Sequence, residues 1–226
     1  MLGLAFSGGK DSLACWYLHK HQNPIVFWVN TGKAYPETLD LVNEIRAQTA
    51  KFIEVKSDQQ ANIDEHGIPS DVVPVNWTTL GMVMTGQKPI KIQSYLGCCF
   101  ENISRPLIDA VKSQGITQLI RGQRNDEGHK SPARNGDFVL GIEYLQPIEN
   151  WTKEEVLAYL MEQRGSLPKH FDVEHSSLDC YDCTGFAKKS KDRVAYTKEH
   201  HPELHLKYQK NMDNLQHVLN LEKING

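Results

Sequence analysis

The sequence predicts an α/β protein with a mostly parallel sheet, helices on both faces and a short helical C-terminal extension. Three observations predict this class. Apolar runs alternate with segments of helical periodicity over residues 2–55, two glycines follow the first run closely, and the chain has 226 residues, enough for one α/β domain with a small appendage. Such alternation favours parallel strands joined by right-handed crossovers.

Three strands and two helices are predicted in the N-terminal part of the chain. Residues 2–6 form a short buried strand, and residues 12–21 form the helix that follows the glycine turn. A second apolar run at 25–29 is a strand, residues 35–50 have helical spacing, and residues 52–55 form the third strand. This order matches a parallel sheet whose ligands bind where the strands end.

The rest of the chain is irregular at first and then helical. Residues 57–95 contain several prolines and glycines and are predicted to be a long functional excursion. The elements predicted after it are a helix at 98–114, a strand at 119–122, and helices at 151–164 and 205–221. We expect residues 1–165 to form the α/β domain and residues 166–226 to pack on it as a C-terminal segment.

Charge, hydropathy and cysteine usage narrow the functional class. The net charge of -3 argues against a globally basic nucleic-acid surface, so any such binding would be local. There is no apolar run of about 18 residues and no signal peptide, so we expect a cytoplasmic protein without a membrane span. Five cysteines that include an adjacent pair and a Cys-x-x-Cys indicate metal or redox chemistry in a reducing compartment.

A glycine turn between the first strand and the first helix has the composition of a phosphate site. Backbone N–H groups at glycines can approach an anion closely, and the helix N-terminus adds partial positive charge. The spacing is not that of the Walker loop. A plain strand-to-helix turn is the alternative. The predicted phosphate-binding residues are Ser7, Gly8, Gly9, Lys10, Asp11 and Ser12.

Four of the five cysteines form a second pattern. Cys98 and Cys99 are adjacent, and Cys180 and Cys183 follow after about 80 residues. Four thiolates can hold zinc or a four-iron cluster, and adjacent cysteines suit a zinc knuckle poorly. Burial of the first pair as small hydrophobic side chains is the alternative. Cys15, in the first predicted helix, is expected to pack in the core.

These motifs resemble those of the adenine-nucleotide alpha-hydrolase superfamily. Ser7–Ser12 resembles its SGGxDS pyrophosphate loop, and residues 29–38 resemble the "DTG…PET" segment of its PAPS/APS reductase family, with Asn30 in place of the usual Asp. The resemblance implies a Rossmann-like sheet and an adenine nucleotide as ligand. It adds Thr31 and Gly32 to the predicted nucleotide site. Residues 1–165 would then be the nucleotide-binding domain.

The cysteine pattern is similar to the iron–sulfur signature of the same reductases. The resemblance implies a [4Fe–4S] cluster, favoured over zinc, on Cys98, Cys99, Cys180 and Cys183. Residues 121–127 resemble the "GxRxxES" loop, which implies that Arg124 binds the phosphate or sulfate end and that Glu127 occupies the acidic position. Gly128 replaces the expected Ser, and the alternative is a solvated run of charges.

Three departures leave the reaction open. The reductases carry basic residues just after the cysteine pair, where this sequence has Asn102 and Ile103. Reductases of this family use a cysteine near the C-terminus as nucleophile, yet no cysteine follows Cys183 in this sequence, and Lys10 is more typical of members that bind ATP. The first hypothesis is therefore a PAPS/APS reductase-like enzyme that yields sulfite with an external, thioredoxin-like thiol donor. The second is an ATP pyrophosphatase that activates a nucleic acid for thiolation. The third is a non-catalytic nucleotide- or cluster-binding module. A homo-oligomer is left open.

Overall fold

A computed structural model describes residues 1–127, 131, 133–171, 178–186 and 191–225, with side chains up to residue 222. Its contacts divide the chain into two compact units. The first comprises Met1–Asn30, Tyr35–Lys56 and Pro106–Leu178; the second comprises Thr31–Ala34, Ser57–Arg105 and Asp179–Gly226. The units interleave along the sequence, whereas the expected division at residue 165 is a single cut, and that division stays a prediction.

Strands and helices follow one another along most of the described chain. In order they are β1 (Leu2–Ala5), α1 (Lys10–His19), β2 (Ile25–Asn30), α2 (Pro36–Gln48), β3 (Phe52–Lys56), α3 (Gln59–His66), β4 (Ile68–Ser70), α4 (Thr79–Thr85), β5 (Ile92–Ser94), α5 (Tyr95–Cys99), α6 (Arg105–Ser113), β6 (Gln118–Ile120), β7 (Phe138–Val139), β8 (Ile142–Leu145), α7 (Lys153–Arg164), α8 (Lys191–His200) and α9 (Pro202–Asn225).

The main sheet belongs to the first unit and has the strand order β3-β2-β1-β6-β8-β7. Neighbouring strands are parallel except for β7 and β8, which are antiparallel. β1 lies in the interior of the sheet, where Leu4 pairs with Val26 on one side and Ile120 on the other. The predicted α/β class with a mostly parallel sheet is confirmed.

Local sequence signals explain where the helices of the first unit begin. Pro36 opens α2, a position where its missing N–H costs nothing. Thr152 caps α7 through a capping box in which its hydroxyl accepts from the N–H of Glu155 and the Glu155 carboxylate accepts from the N–H of Thr152. α1 begins directly after Gly9, so its N-terminus lies at the end of the glycine turn.

The first unit has an apolar core at its sheet. Alternate residues of the strands face this core because successive side chains of a strand point to opposite faces. Its buried members are Ile25, Phe27, Val111, Ile116, Leu119, Ala133, Ile142 and Tyr144. Cys15 is fully buried in α1, as expected of a core residue.

The second unit contains the parallel pair β4–β5 and the helices α3, α4, α5, α8 and α9. Ile68 and Ile92 from the two strands pack with Trp77, and α9 contributes Leu215 and Val218 to this second core. None of the described helices is both long and apolar enough to cross a membrane.

Two segments differ from the sequence-based expectation. Residues 57–95, expected to be irregular, contain α3, β4, α4 and β5. These elements are three to eight residues long, too short to show a clear hydrophobic period. The helix expected at 98–114 begins at Tyr95 and contains a π-helical turn at Phe100–Ser104, directly after the cysteine pair.

Candidate functional site

The glycine turn joins β1 to α1 in the first unit and requires glycine at one position. Gly8 has φ of 76°, a left-handed conformation that disfavours side chains. A Cβ on Gly8 would also lie 2.7 Å from the Thr38 Cγ2 atom. The backbone therefore approaches α2 closely at this point and turns sharply into the α1 N-terminus.

The two serines of the turn hold each other and the backbone. The Ser12 hydroxyl accepts from the Ser7 N–H at 3.1 Å and donates to the Gly9 carbonyl at 3.0 Å. The two hydroxyl oxygens lie 3.2 Å apart. Ser12 is buried, so it shapes the turn from inside, whereas Ser7 is exposed.

Two cations and three carboxylates lie next to the turn. Asp11 pairs with Lys10 Nζ at 3.0 Å and with Arg124 Nε at 2.7 Å. Arg124 also pairs with Asp126 at 2.8 Å, and Glu127 lies 4.0 Å from its Nε. Both cationic side chains are almost fully buried, whereas the Asp126 side chain is 51% exposed. An anion that reaches Arg124 would therefore compete with the exposed Asp126 carboxylate.

Glu127 has an unusual protonation equilibrium. Burial and, second, the neighbouring Asp11 carboxylate raise the pKa of Glu127 to about 7, although Arg124 and Lys10 oppose the shift. At neutral pH this carboxyl group is thus close to half protonated. The position after it, Gly128, where the resembling motif has Ser, lies outside the described residues.

Gly122, the glycine of the loop that resembles GxRxxES, fixes how closely the chain after β6 approaches α1, a contact that the sequence analysis did not predict. A Cβ on Gly122 would lie 2.5 Å from the Asp11 carbonyl carbon and 2.6 Å from the Ser12 nitrogen. The chain leaving β6 therefore touches the first turn of α1 and carries Arg124 to Asp11. A Gly after a strand that leads into a charged loop is the signal that would have indicated this contact.

Thr31 and Gly32 lie in the second unit, together with Cys98, Cys99, Cys180 and Cys183. Thr31 is buried, and its hydroxyl lies 3.7 Å from the Cys180 sulfur. The Thr31 carbonyl accepts from the Gln59 N–H at 3.4 Å. Gly32 has φ of 78°. The predicted role of Thr31 and Gly32 in nucleotide binding stays a prediction.

The four patterned cysteines share the second unit as free thiols. Cys98 and Cys99 end α5, and a turn closed by a 2.9 Å hydrogen bond from the Cys183 N–H to the Cys180 carbonyl joins the other pair. Burial is the main cause that raises the pKa of each thiol, to about 12 for Cys99. The Cys183 thiolate raises the pKa of the other three further, so all four are electrostatic neighbours.

Buried polar side chains that the sequence analysis missed surround these cysteines. Arg193 donates to the Cys180 carbonyl at 3.0 Å and to the Cys183 carbonyl at 2.9 Å. Lys33 forms a buried ion pair with Asp182, between the two cysteines of the turn. Amides of Gln59 and Asn102 reach Cys98. Within the described residues, no group of three or more His, Cys, Asp or Glu side chains is arranged to hold a metal ion.

Comparison with known proteins gives one family and several distant relatives. Residues 2–186 match the family model of the phosphoadenosine phosphosulfate reductase domain. The chain is 25% identical over 185 residues to an adenosine 5'-phosphosulfate reductase of Burkholderia cepacia, covering 75% of this chain and 63% of the relative. It is 24% identical over 186 residues to the enzyme of that name from Allochromatium vinosum, covering 78% and 65%.

The chain thus spans less than two thirds of the length of these curated relatives. Among solved structures, a phosphoadenylyl-sulfate (PAPS) reductase from Candida auris, crystallised as a phosphate complex, superposes with a TM-score of 0.54 at 20% identity. That superposition covers 81% of this chain and 82% of the other. The similarity supports the fold.

Proposed function

Because the chain belongs to the phosphoadenosine phosphosulfate reductase domain family, we propose that it is a sulfonucleotide reductase-like enzyme. Its substrate would be adenylylated sulfate, as APS or PAPS, and its product sulfite. The observation that carries the proposal is the grouping of four free cysteines, far apart in sequence, in one unit of a chain that matches this family.

The glycine turn supplies the elements for holding the nucleotide. The left-handed Gly8 and the α1 N-terminus present backbone N–H groups at the end of a central parallel strand, where anions bind in α/β sheets. Lys10 and Arg124 supply buried positive charge beside these groups. The predicted ligands Ser7–Ser12, Arg124 and Glu127 all belong to the first unit.

The cysteines suit a [4Fe–4S] cluster by the chemistry of their donors. Each iron of such a cluster takes one thiolate, so the four ligands need not converge on a single point. Amide and hydroxyl groups close to the Cys98 and Cys180 sulfurs match the surroundings expected of charged sulfur ligands. When bound, the cluster would supply an iron–sulfur redox and electrostatic centre in the second unit.

The reducing thiol would come from another molecule. Reduction of sulfate-level sulfur to sulfite takes two electrons: one thiol takes the sulfonate group from the nucleotide, and a second thiol displaces sulfite and leaves a disulfide. Cys15 is fully buried, and burial raises the pKa of its thiol well above the ordinary value, so it does not serve as nucleophile. The other four cysteines are assigned to the cluster, and a thioredoxin-like donor would supply both thiols.

Anaerobic loading with iron and sulfide, followed by a sulfite-release assay with reduced thioredoxin, tests the proposal. We expect a brown protein that releases sulfite from APS or PAPS. Lys10→Ala should weaken nucleotide binding about 10–100-fold because it removes a charge-assisted contact. The control Lys112→Ala removes an exposed charge from α6 and should leave binding unchanged. No sulfite from either nucleotide, with any dithiol donor, would refute the reductase reaction.

An ATP pyrophosphatase is the second candidate, favoured by one observation. Lys10 is buried in the turn and paired with Asp11, and a lysine at this position resembles the superfamily members that bind ATP. Pyrophosphate release from ATP in the presence of a nucleic-acid acceptor, together with tighter binding of ATP than of PAPS, would select this reaction. The same Lys10→Ala and Lys112→Ala pair applies to it.

A further inference from the structure

The sulfur of Cys98 is contacted by two side-chain amides. Gln59 Nε2 and Asn102 Nδ2 each lie 3.6 Å from Cys98 Sγ. Gln59, Asn102 and Cys98 are all at least 96% buried. Two amides without access to bulk water therefore direct N–H groups to one sulfur.

The Gln59 side chain is oriented as a donor to that sulfur. Its Oε1 atom is buried and has no hydrogen-bond partner among the described residues, and an unpaired buried carbonyl oxygen costs free energy. The amide keeps its N–H on the sulfur. The geometry leaves the Cys98 sulfur as the acceptor of two N–H groups, which suits a metal-bound sulfur.

Backbone contacts fix both amides in place. The Gln59 N–H donates to the Thr31 carbonyl at 3.4 Å, at the start of α3. The Asn102 amide also donates to the Cys98 carbonyl at 2.9 Å, and the Ser57 hydroxyl donates to the Asn102 carbonyl at 2.7 Å. The two donors are thus pre-organised around Cys98. Cys180 is approached differently, by the hydroxyl of Thr31.

We propose that Gln59 and Asn102 are positioning residues that hold Cys98 as an electron-rich ligand and raise the reduction potential of the cluster. The inference rests on the proposed function, which assigns that cluster to the four cysteines. N–H groups that point at a ligand sulfur stabilise its negative charge, and this charge is larger in the reduced state, so the donors favour reduction.

The test compares four variants loaded anaerobically with iron and sulfide. Gln59→Met and Asn102→Leu remove one donor each at similar volume, and Gln59→Glu replaces the donor with a carboxylate of nearly the same shape. The control is Gln60→Met, because Gln60 is the next residue of α3, is exposed and bonds only to the surface carboxylate of Asp64 among its described contacts. The readouts are the cluster's midpoint potential, from a redox titration followed by EPR, and the rate of iron transfer to a chelator.

We expect a more negative midpoint in each of the three donor variants and the largest shift in Gln59→Glu. Iron retention should fall about 10–100-fold, as is typical when a contact to a metal ligand is lost. Gln60→Met should behave as the wild type. If Gln59→Met fails to fold by circular dichroism, the nearly isosteric Gln59→Glu still decides the question.

The outcomes separate this inference from the function on which it rests. A wild-type chain that takes up no cluster under any loading condition refutes the proposed function and this inference with it. The positioning role alone is refuted if the wild type binds the cluster and all three donor variants have its midpoint potential and iron retention. These variants are Gln59→Met, Gln59→Glu and Asn102→Leu.

Discussion

Arg193 is buried, although it belongs to a run of basic residues of the kind usually found on protein surfaces. It ends the basic tract at residues 188–193, whose composition is typical of a solvated face or of an anion-guiding surface. The first part of that tract, residues 188–190, lies outside the described residues. Arg193 itself is buried and binds both carbonyls of the Cys180–Cys183 turn. Its charge also lowers the pKa of Cys183, against the larger effect of burial.

Arg193→Met should loosen that turn. Two charge-assisted hydrogen bonds are lost and two carbonyls stay without them, so we expect the free energy of unfolding to fall by about 2–4 kcal/mol. The control is Arg105→Met, whose guanidinium is 55% exposed and pairs with Glu101, and we expect a loss of about 1 kcal/mol or less. Urea unfolding of both variants measures the difference. Equal losses would contradict a specific role of Arg193.

Glu127 predicts a pH dependence of stability. Its pKa is raised from 4.5 to about 7 in the folded chain, so its favourable contribution is fully present below about pH 4.5 and is lost as pH rises through about 7. Glu127→Gln stays neutral, so its free energy of unfolding should rise relative to that of the wild type toward pH 8. The difference should reach up to about 3 kcal/mol before solvent screening reduces it. Urea unfolding at pH 5, 6, 7 and 8 measures this gain.

The matched control for this pH series is Glu162→Gln, which removes an exposed carboxylate from α7. Its difference from the wild type should stay flat across the range. Parallel curves for wild type and Glu127→Gln would contradict the raised pKa. Anion binding at the turn should follow the same titration, becoming tighter at lower pH as Glu127 loses its charge.

At the scale of elements, the contact between β6 and α1 determines the position of the charged loop. Gly122 lies so close to the Asp11 and Ser12 backbone that a methyl group cannot be added without a shift. Backbone atoms cannot move aside as a flexible side chain can. The spacing of the glycine turn and of Arg124 is thus set by two elements that are distant in sequence but adjacent in the fold.

Gly122→Ala should weaken both stability and nucleotide binding. Overpacking of this kind costs about 1–3 kcal/mol, and the displaced α1 N-terminus should bind the nucleotide less tightly. Gly97→Ala is the control for stability, since a Cβ there meets nothing within 4 Å and alanine favours the helix. Thermal unfolding and nucleotide titration report the two effects. A Gly122→Ala chain as stable as wild type would contradict the close approach.

At the scale of the whole molecule, the cysteines join distant parts of the chain. Cys98 and Cys99 come from α5, Cys180 and Cys183 from the segment after residue 178, and the Lys33–Asp182 pair spans 149 positions. A group bound by all four cysteines would close a long loop of the chain, from Cys99 to Cys180. Such cross-links stabilise a fold because the unfolded chain loses more freedom.

Loading with iron and sulfide should therefore raise the melting temperature of the chain. A ligand that binds the folded state alone at about 100 times its dissociation constant adds about 2.7 kcal/mol. Differential scanning calorimetry of the loaded and the chelator-treated protein measures this shift in melting temperature. The control is Cys15→Ala, which lies outside the patterned cysteines and should show the same rise in melting temperature on loading. Equal melting temperatures for the loaded and the chelator-treated protein would count against a site shared by all four cysteines.

Local patterns in the sequence are enough to predict the α/β class, the glycine turn and the two cysteine pairs. Strand and helix periods, glycine spacing and cysteine spacing are local patterns, and they can be recognised in the sequence. The short elements at 57–95 and the residues around the cysteine sulfurs could not be predicted from such patterns. Gln59, Asn102 and Arg193 have side chains that are common on surfaces, and no local pattern distinguishes them.

Which polar side chains are buried, and which groups they contact, follows from the tertiary structure alone. It grouped Thr31 and Lys33 with the cysteines, placed Arg124 and Glu127 beside Asp11, and turned two amides toward Cys98. The physical reason is that burial, pKa shifts and hydrogen bonds depend on distances between segments far apart in the chain. Those distances arise only when the chain folds, and no window of the sequence contains them.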